Sequence, residues 1–227
     1  MAIVYQTLTD GTVQTQNGDG SWSTPMASAA EAALFSAHVA PWQPLVTASV
    51  AKYGLPEVLI PGILAIIHSE SGGNANSGPS FDNGVGLMAI TSNILKAKPG
   101  GGLYTADELK DPELNIDIGV GKMVAPEYGV MGLDLPQIAS GFNGGYDHNG
   151  AHHSVIAPWG WREYQIPSTG AFPYISKVVR MNNYAISTLS PTSPPPPDSD
   201  STGSDDIGPW FAAAAVAVLL GVLWRKR

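Results

Sequence analysis

The chain contains no cysteine. That absence excludes disulfides, cysteine-ligated zinc and a thiol nucleophile, and it is compatible with either redox compartment. Basic residues are scarce: 11 Lys and Arg stand against 19 Asp and Glu, for a net charge of −8. The only basic cluster is Arg225-Lys226-Arg227 at the extreme C-terminus. No nucleic-acid partner is expected from such a balance. A signal sequence is not evident either, because Met1-Ala2-Ile3-Val4-Tyr5-Gln6 has no basic n-region and runs into a polar, Gly-rich stretch. What is abundant is punctuation. There are 26 Gly and 19 Pro in 227 residues, which predicts frequent loops around one compact domain with appendages.

Composition shifts divide the chain into five parts. Residues 1–40 form an N-terminal extension, with Asp10-Gly11 and Asn17-Gly18 turn signals between short strands or irregular structure, then a helix over residues 27–39. Residues 41–190 carry a mainly helical pattern. Leu45, Val46, Ser49, Val50 and Tyr53 mark one amphipathic helix stopped by Gly54 and Pro56. A second starts near Pro61, a third spans residues 111–128 with Asp111 as N-cap and Pro112 at N1, and others cover 134–140 and 173–189. Residues 191–206 are rich in Pro, Ser and Asp and read as an extended spacer. Residues 207–224 carry no charge, are bounded by Trp210 and Trp224, and precede the basic tail at 225–227. At the helical rise they span roughly 27 Å, enough for a transmembrane helix. A buried core helix is the competing reading, and the spacer before it and the basic stop after it oppose that.

The residue that points to chemistry is Glu70. Ile63, Ile66, Ile67 and Glu70 stand at i, i+3, i+4 and i+7, so the carboxyl shares the apolar face of its helix. Gly72 or Gly73 ends that helix and leaves Glu70 in its last turn. Partial burial and the negative end of the helix dipole both disfavour the anion there. A carboxyl group held protonated suits a general acid for glycosidic cleavage. The bland alternative is a surface Glu at a fraying helix end.

Further motifs follow in order. They are Glu70-Ser71-Gly72; Gly86-Leu87-Met88, sixteen residues after the Glu; Asp111-Pro112-Glu113-Leu114-Asn115-Ile116 with Gly119; Ser140-Gly141-Phe142-Asn143-Gly144-Gly145; and Tyr174-Ile175-Ser176-Lys177-Val178. Over residues 42–184 this resembles the lytic transglycosylases of the soluble (SLT) type, a branch of the lysozyme-like superfamily. The family patterns are an E-S-G helix end, G-L-M-Q, D-P-x-x-N-I-x-x-G, A-Y-N-A-G and Y-V-x-K-V. The resemblance implies a mainly α, lysozyme-like domain that cleaves the MurNAc–GlcNAc bond of peptidoglycan without cofactor or metal. Glu70 would act as acid and then as base, closing a 1,6-anhydro ring on muramic acid. It implies substrate contacts from Ser71, Gly86, Leu87, Met88, Phe142, Asn143 and Tyr174. Ser71 would orient Glu70 or touch the sugar, and Tyr174 would reach Glu70 or the sugar; core packing is the alternative for Leu87, Met88 and Tyr174. Two positions depart from the pattern: Ala89 replaces the family Gln, and Phe142 replaces a Tyr. They leave open a second reading, a lysozyme-like module that binds glycan without cutting it.

Other residues support rival chemistry. Asp82 is the second carboxylate a hydrolase would need, although its place in Asp82-Asn83-Gly84 also suits a turn. Trp159 and Trp161 suit either sugar stacking or packing. His148, His152 and His153, with distant His68, would be the ligands of a metal-dependent wall hydrolase, but there is no H-E-x-x-H and the cluster lies in a Gly-rich loop. The expected partners are therefore glycan strands and, through residues 207–224, a lipid membrane. The basic tail predicts a cytoplasmic C-terminus with the main domain opposite. With no signal sequence evident, the expectation is a bacteriophage protein, anchored in a virion's internal membrane or in the host membrane and facing the wall.

Overall fold

The fold is built around the helix α3, Ile60–Ser71. Pro61 occupies its first turn, where a missing N–H costs nothing, and Gly72 caps its end in the left-handed conformation, φ 63°. Every residue from Gly62 to His68 is buried, so α3 is apolar all round and occupies the centre of the core. Fully burying Ile63, Leu64, Ile66 and Ile67 is worth roughly 1.5–3 kcal/mol each. The computed structural model describes residues 3–80, 83–91, 97–122, 135–144, 154–156, 162–164 and 171–189.

Five further helices accompany it among these residues: α1 (Ala29–His38), α2 (Gln43–Lys52), α4 (Pro112–Lys122), α5 (Leu135–Gly144) and α6 (Ala171–Thr188). The α2 and α6 helices pack on α3, α4 packs on α2, and α5 packs on α6. The expected caps are in place. Asp111 Oδ1 accepts the Leu114 N–H at 2.8 Å, and Gly54 follows α2 at φ 63°. The third helix is described as far as Lys122, with the rest of its expected span outside the described residues, and α5 runs on to Gly144 rather than stopping at 140.

The N-terminal segment is more regular than the sequence suggests. Strands β1 (Ile3–Thr7), β2 (Val13–Gln16) and β3 (Trp22–Ser23) join β4 (Ser154–Ile156) and β5 (Arg162–Tyr164) in a five-stranded sheet ordered β3-β2-β1-β5-β4. All pairs are antiparallel, with Val4 opposite Glu163 and Tyr5 opposite Thr15. Three-residue strands carry too little alternation to be read locally, and β5 finds its partner far back along the chain. The β1–β2 turn is closed by Asp10, whose Oδ1 accepts the Thr12 N–H at 2.9 Å. Two buried asparagines of α6 hold this hairpin. Asn183 accepts from Val13 N–H and donates to the carbonyls of Val13 and Pro25, and Asn182 donates to the Gly11 carbonyl. Residues 1–190 thus form one compact unit. No helix among the described residues is long and apolar enough to cross a membrane; residues 191–227, with the expected spacer and span, lie outside them.

Candidate active site

Glu70 stands half-buried in the last turn of α3. The next residue locks that turn in place. Ser71 Oγ donates to the Leu87 carbonyl at 2.9 Å, with the Ile67 carbonyl at 3.2 Å, and accepts the Gly73 N–H at 3.1 Å. Its hydroxyl is committed to the backbone and ties down the helix end on which Glu70 stands. Trp42 adds a second tie, since its indole N–H donates to the Gly73 carbonyl at 3.0 Å.

Tyr174, in the opening turns of α6, donates its hydroxyl to Glu70 Oε1 at 2.5 Å. Burial, then the Glu70 charge, pushes the phenol well above its ordinary proton affinity, so Tyr174 stays a donor at any working pH. His68 lies two residues before Glu70, 5% exposed, and its Nδ1 has no hydrogen-bond partner among the described residues. Burial first, then the Lys177 charge, lowers its proton affinity and keeps the ring neutral. The ring lies 6.1 Å from that of Phe35 on α1.

The Gly86-Leu87-Met88 turn is held from behind by Asn115 on α4, which is completely buried. Asn115 donates to the carbonyls of Val85 and Leu109, at 2.9 and 2.7 Å, and accepts the Met88 N–H at 2.8 Å. Gly86 has φ 79°, and a Cβ there would lie 2.1 Å from Asn115 Nδ2. Only glycine fits that approach. Gly86, Leu87 and Met88 are buried, backbone included, so the expected substrate contacts from this turn are not exposed and it instead braces the end of α3 through the Leu87 carbonyl. Ala89, half-buried, takes a left-handed conformation at φ 44°. Phe142, on α5, packs half-buried against the core, and Asn143 follows it on the same helix. Asp82, His148, His152, His153, Trp159 and Trp161 lie outside the described residues.

Four of the five sequence motifs are thus joined by hydrogen bonds. Ser71 ties the Glu70 helix end to Leu87, Asn115 ties the 85–88 turn to α4, and Tyr174 ties α6 to Glu70. The clamp made by Asn115 and the Trp42 strut were not evident beforehand. Asn115 was visible as the Asn of its motif, without a role, and Trp42 carried no signal. A cleft of about 340 Å³ between α2 and α4 is separate from this constellation. Its Lys52 and Asp117 pair with each other at 2.8 Å.

Residues 45–154 match the family model of the transglycosylase SLT domain. The match spans Glu70, the 86–88 turn, Asn115 and α5, and stops before Tyr174, which the fold brings back to Glu70. It decides for an enzyme over a module that only binds glycan, and it implies peptidoglycan as substrate. Residues 45–154 are accordingly a transglycosylase SLT domain of the lysozyme-like superfamily, and that domain makes the chain a peptidoglycan lytic transglycosylase.

Proposed function

We propose that Glu70 is the one acid–base residue of this enzyme, cleaving between N-acetylmuramic acid and N-acetylglucosamine with release of 1,6-anhydromuramic ends. The observation that carries the assignment is the Tyr174–Glu70 hydrogen bond, which holds a half-buried carboxyl at a helix end joined to the other motifs. Glu70 first gives its proton to the glycosidic oxygen as that bond breaks. The resulting carboxylate then takes the proton of the muramic C6 hydroxyl, whose oxygen closes on C1. No water is consumed, so the ring closure needs no second carboxylate. Tyr174 keeps the carboxyl oriented through both steps. Phe142 and Asn143 are the further sugar contacts, while Ser71 and the buried 86–88 turn act through the helix end.

The spacer and anchor belong to the same proposal. Residues 207–224, uncharged and followed by Arg225-Lys226-Arg227, insert in a membrane, and sixteen extended residues reach about 50 Å from it. An enzyme on such a tether cuts only the wall beside its membrane, which suits local opening during phage entry or lysis. Mass spectrometry of muropeptides released by the full chain in detergent tests the chemistry. Products ending in 1,6-anhydromuramic acid, lost in Glu70→Gln, are expected. Reducing ends dependent on Glu70 would instead mean hydrolysis. Flotation with liposomes, lost on removing residues 207–227, tests the anchor.

A further inference from the structure

One turn beyond Tyr174 on α6 stands Lys177, half-buried and on the same helix face at i+3. Because α6 packs on α3 and α1, Lys177 lies within electrostatic reach of Glu31 on α1 and of His68 and Glu70 on α3, with Tyr174 and Arg180 one turn away on its own helix. Glu31 is already occupied. It accepts from the Ser28 N–H and hydroxyl and from the Arg180 guanidinium, each at 2.9 Å. His68 is neutral, and Arg180 is turned to Glu31 and Ser176. Lys177 itself makes no ion pair or hydrogen bond among the described residues. A half-buried ammonium without a paired carboxylate is costly, and its field is not neutralised by a direct partner, so it is felt by charges nearby. Burial lowers its proton affinity, while Glu31 and Glu70 act to raise it.

We propose that Lys177 is a positioning residue that acts electrostatically through Glu70, favouring the carboxylate that forms once the glycosidic oxygen has taken its proton. Tyr174 fixes where that carboxylate lies, and Lys177 supplies the positive charge that the second, base half of the reaction needs beside it. This rests on Glu70 being the acid–base residue.

The test is the pH dependence of kcat/KM for release of anhydro-muropeptides by the full chain, with Glu70→Gln alongside. The acid step needs protonated Glu70, so activity falls above the proton affinity of that group. Lys177→Met removes a charge that favours the anion, and the alkaline limb should move up by roughly 0.5–1 pH unit while kcat falls. Lys177→Arg should keep the limb near its original place. Lys177→Gln serves as a second neutral variant should Lys177→Met not fold, with Tm as the check. An alkaline limb that stays put in the neutral variants, or moves equally in Lys177→Arg, overturns the role of Lys177. Cleavage surviving in Glu70→Gln instead overturns the Glu70 assignment on which it depends.

Discussion

At the scale of single residues, the Tyr174 hydroxyl is the group whose loss should be felt most after Glu70. Tyr174→Phe keeps the ring in the core and deletes one hydrogen bond to a charged acceptor, an interaction worth about 1.5–3 kcal/mol. If that bond orients the carboxyl in the transition state, kcat should fall roughly 10- to 100-fold, measured as the rate of anhydro-product release. A drop in Tm without a drop in kcat would make Tyr174 a packing residue only. Glu70 itself was legible beforehand, because helical period and a glycine stop are set within one or two turns. Ser71 was legible only as a motif letter. Its hydroxyl turns out to join two segments sixteen residues apart, and no local pattern says which carbonyl it meets.

At the scale of elements, the 85–88 turn depends on α4. Asn115→Ala would leave the Met88 N–H and the Val85 and Leu109 carbonyls buried without their partner. A cost of about 3 kcal/mol is expected, or a fall of roughly 6–12 °C in Tm, readable by calorimetry. The α1 helix carries a pH-dependent contribution. Its capping box and Arg180 hold Glu31 at about 2, against an ordinary 4.5. A depressed carboxyl favours the fold above its unfolded value and loses that effect as pH drops through the folded value. Wild type and Glu31→Gln should therefore differ in Tm at pH 6 and converge between about 4.5 and 2. Curves that stay parallel down to pH 2 would show that the Glu31 cap does not contribute. Ser28-Ala29-Ala30-Glu31 has capping-box spacing although the helix was expected from residue 27, and the Arg180 that completes the cap lies 149 residues away.

At the scale of the whole molecule, the N-terminal hairpin and the catalytic helices fold as one body. Asn183 stitches β2 to α6, the helix that carries Tyr174, and it does so from a buried position. Asn183→Ala should cost about 2–4 kcal/mol and lower Tm by roughly 5–15 °C. An unchanged Tm would mean that residues 1–25 fold apart from the rest. The sequence by itself determined the family, the helix that carries Glu70 in its last turn, the caps of α3 and α4, and the apolar character of the core. These follow from hydropathy period, glycine and proline stops and side-chain caps, which act over a few residues. Only the tertiary structure decided that β1 pairs with β5, that Leu87 and Met88 turn inward, that Asn115 clamps the glycine turn and that Lys177 has no paired carboxylate among the described residues. Each of these depends on which distant segment packs alongside. A buried polar group takes whichever partner the packing brings within about 3 Å, and spacing along the chain does not encode that choice.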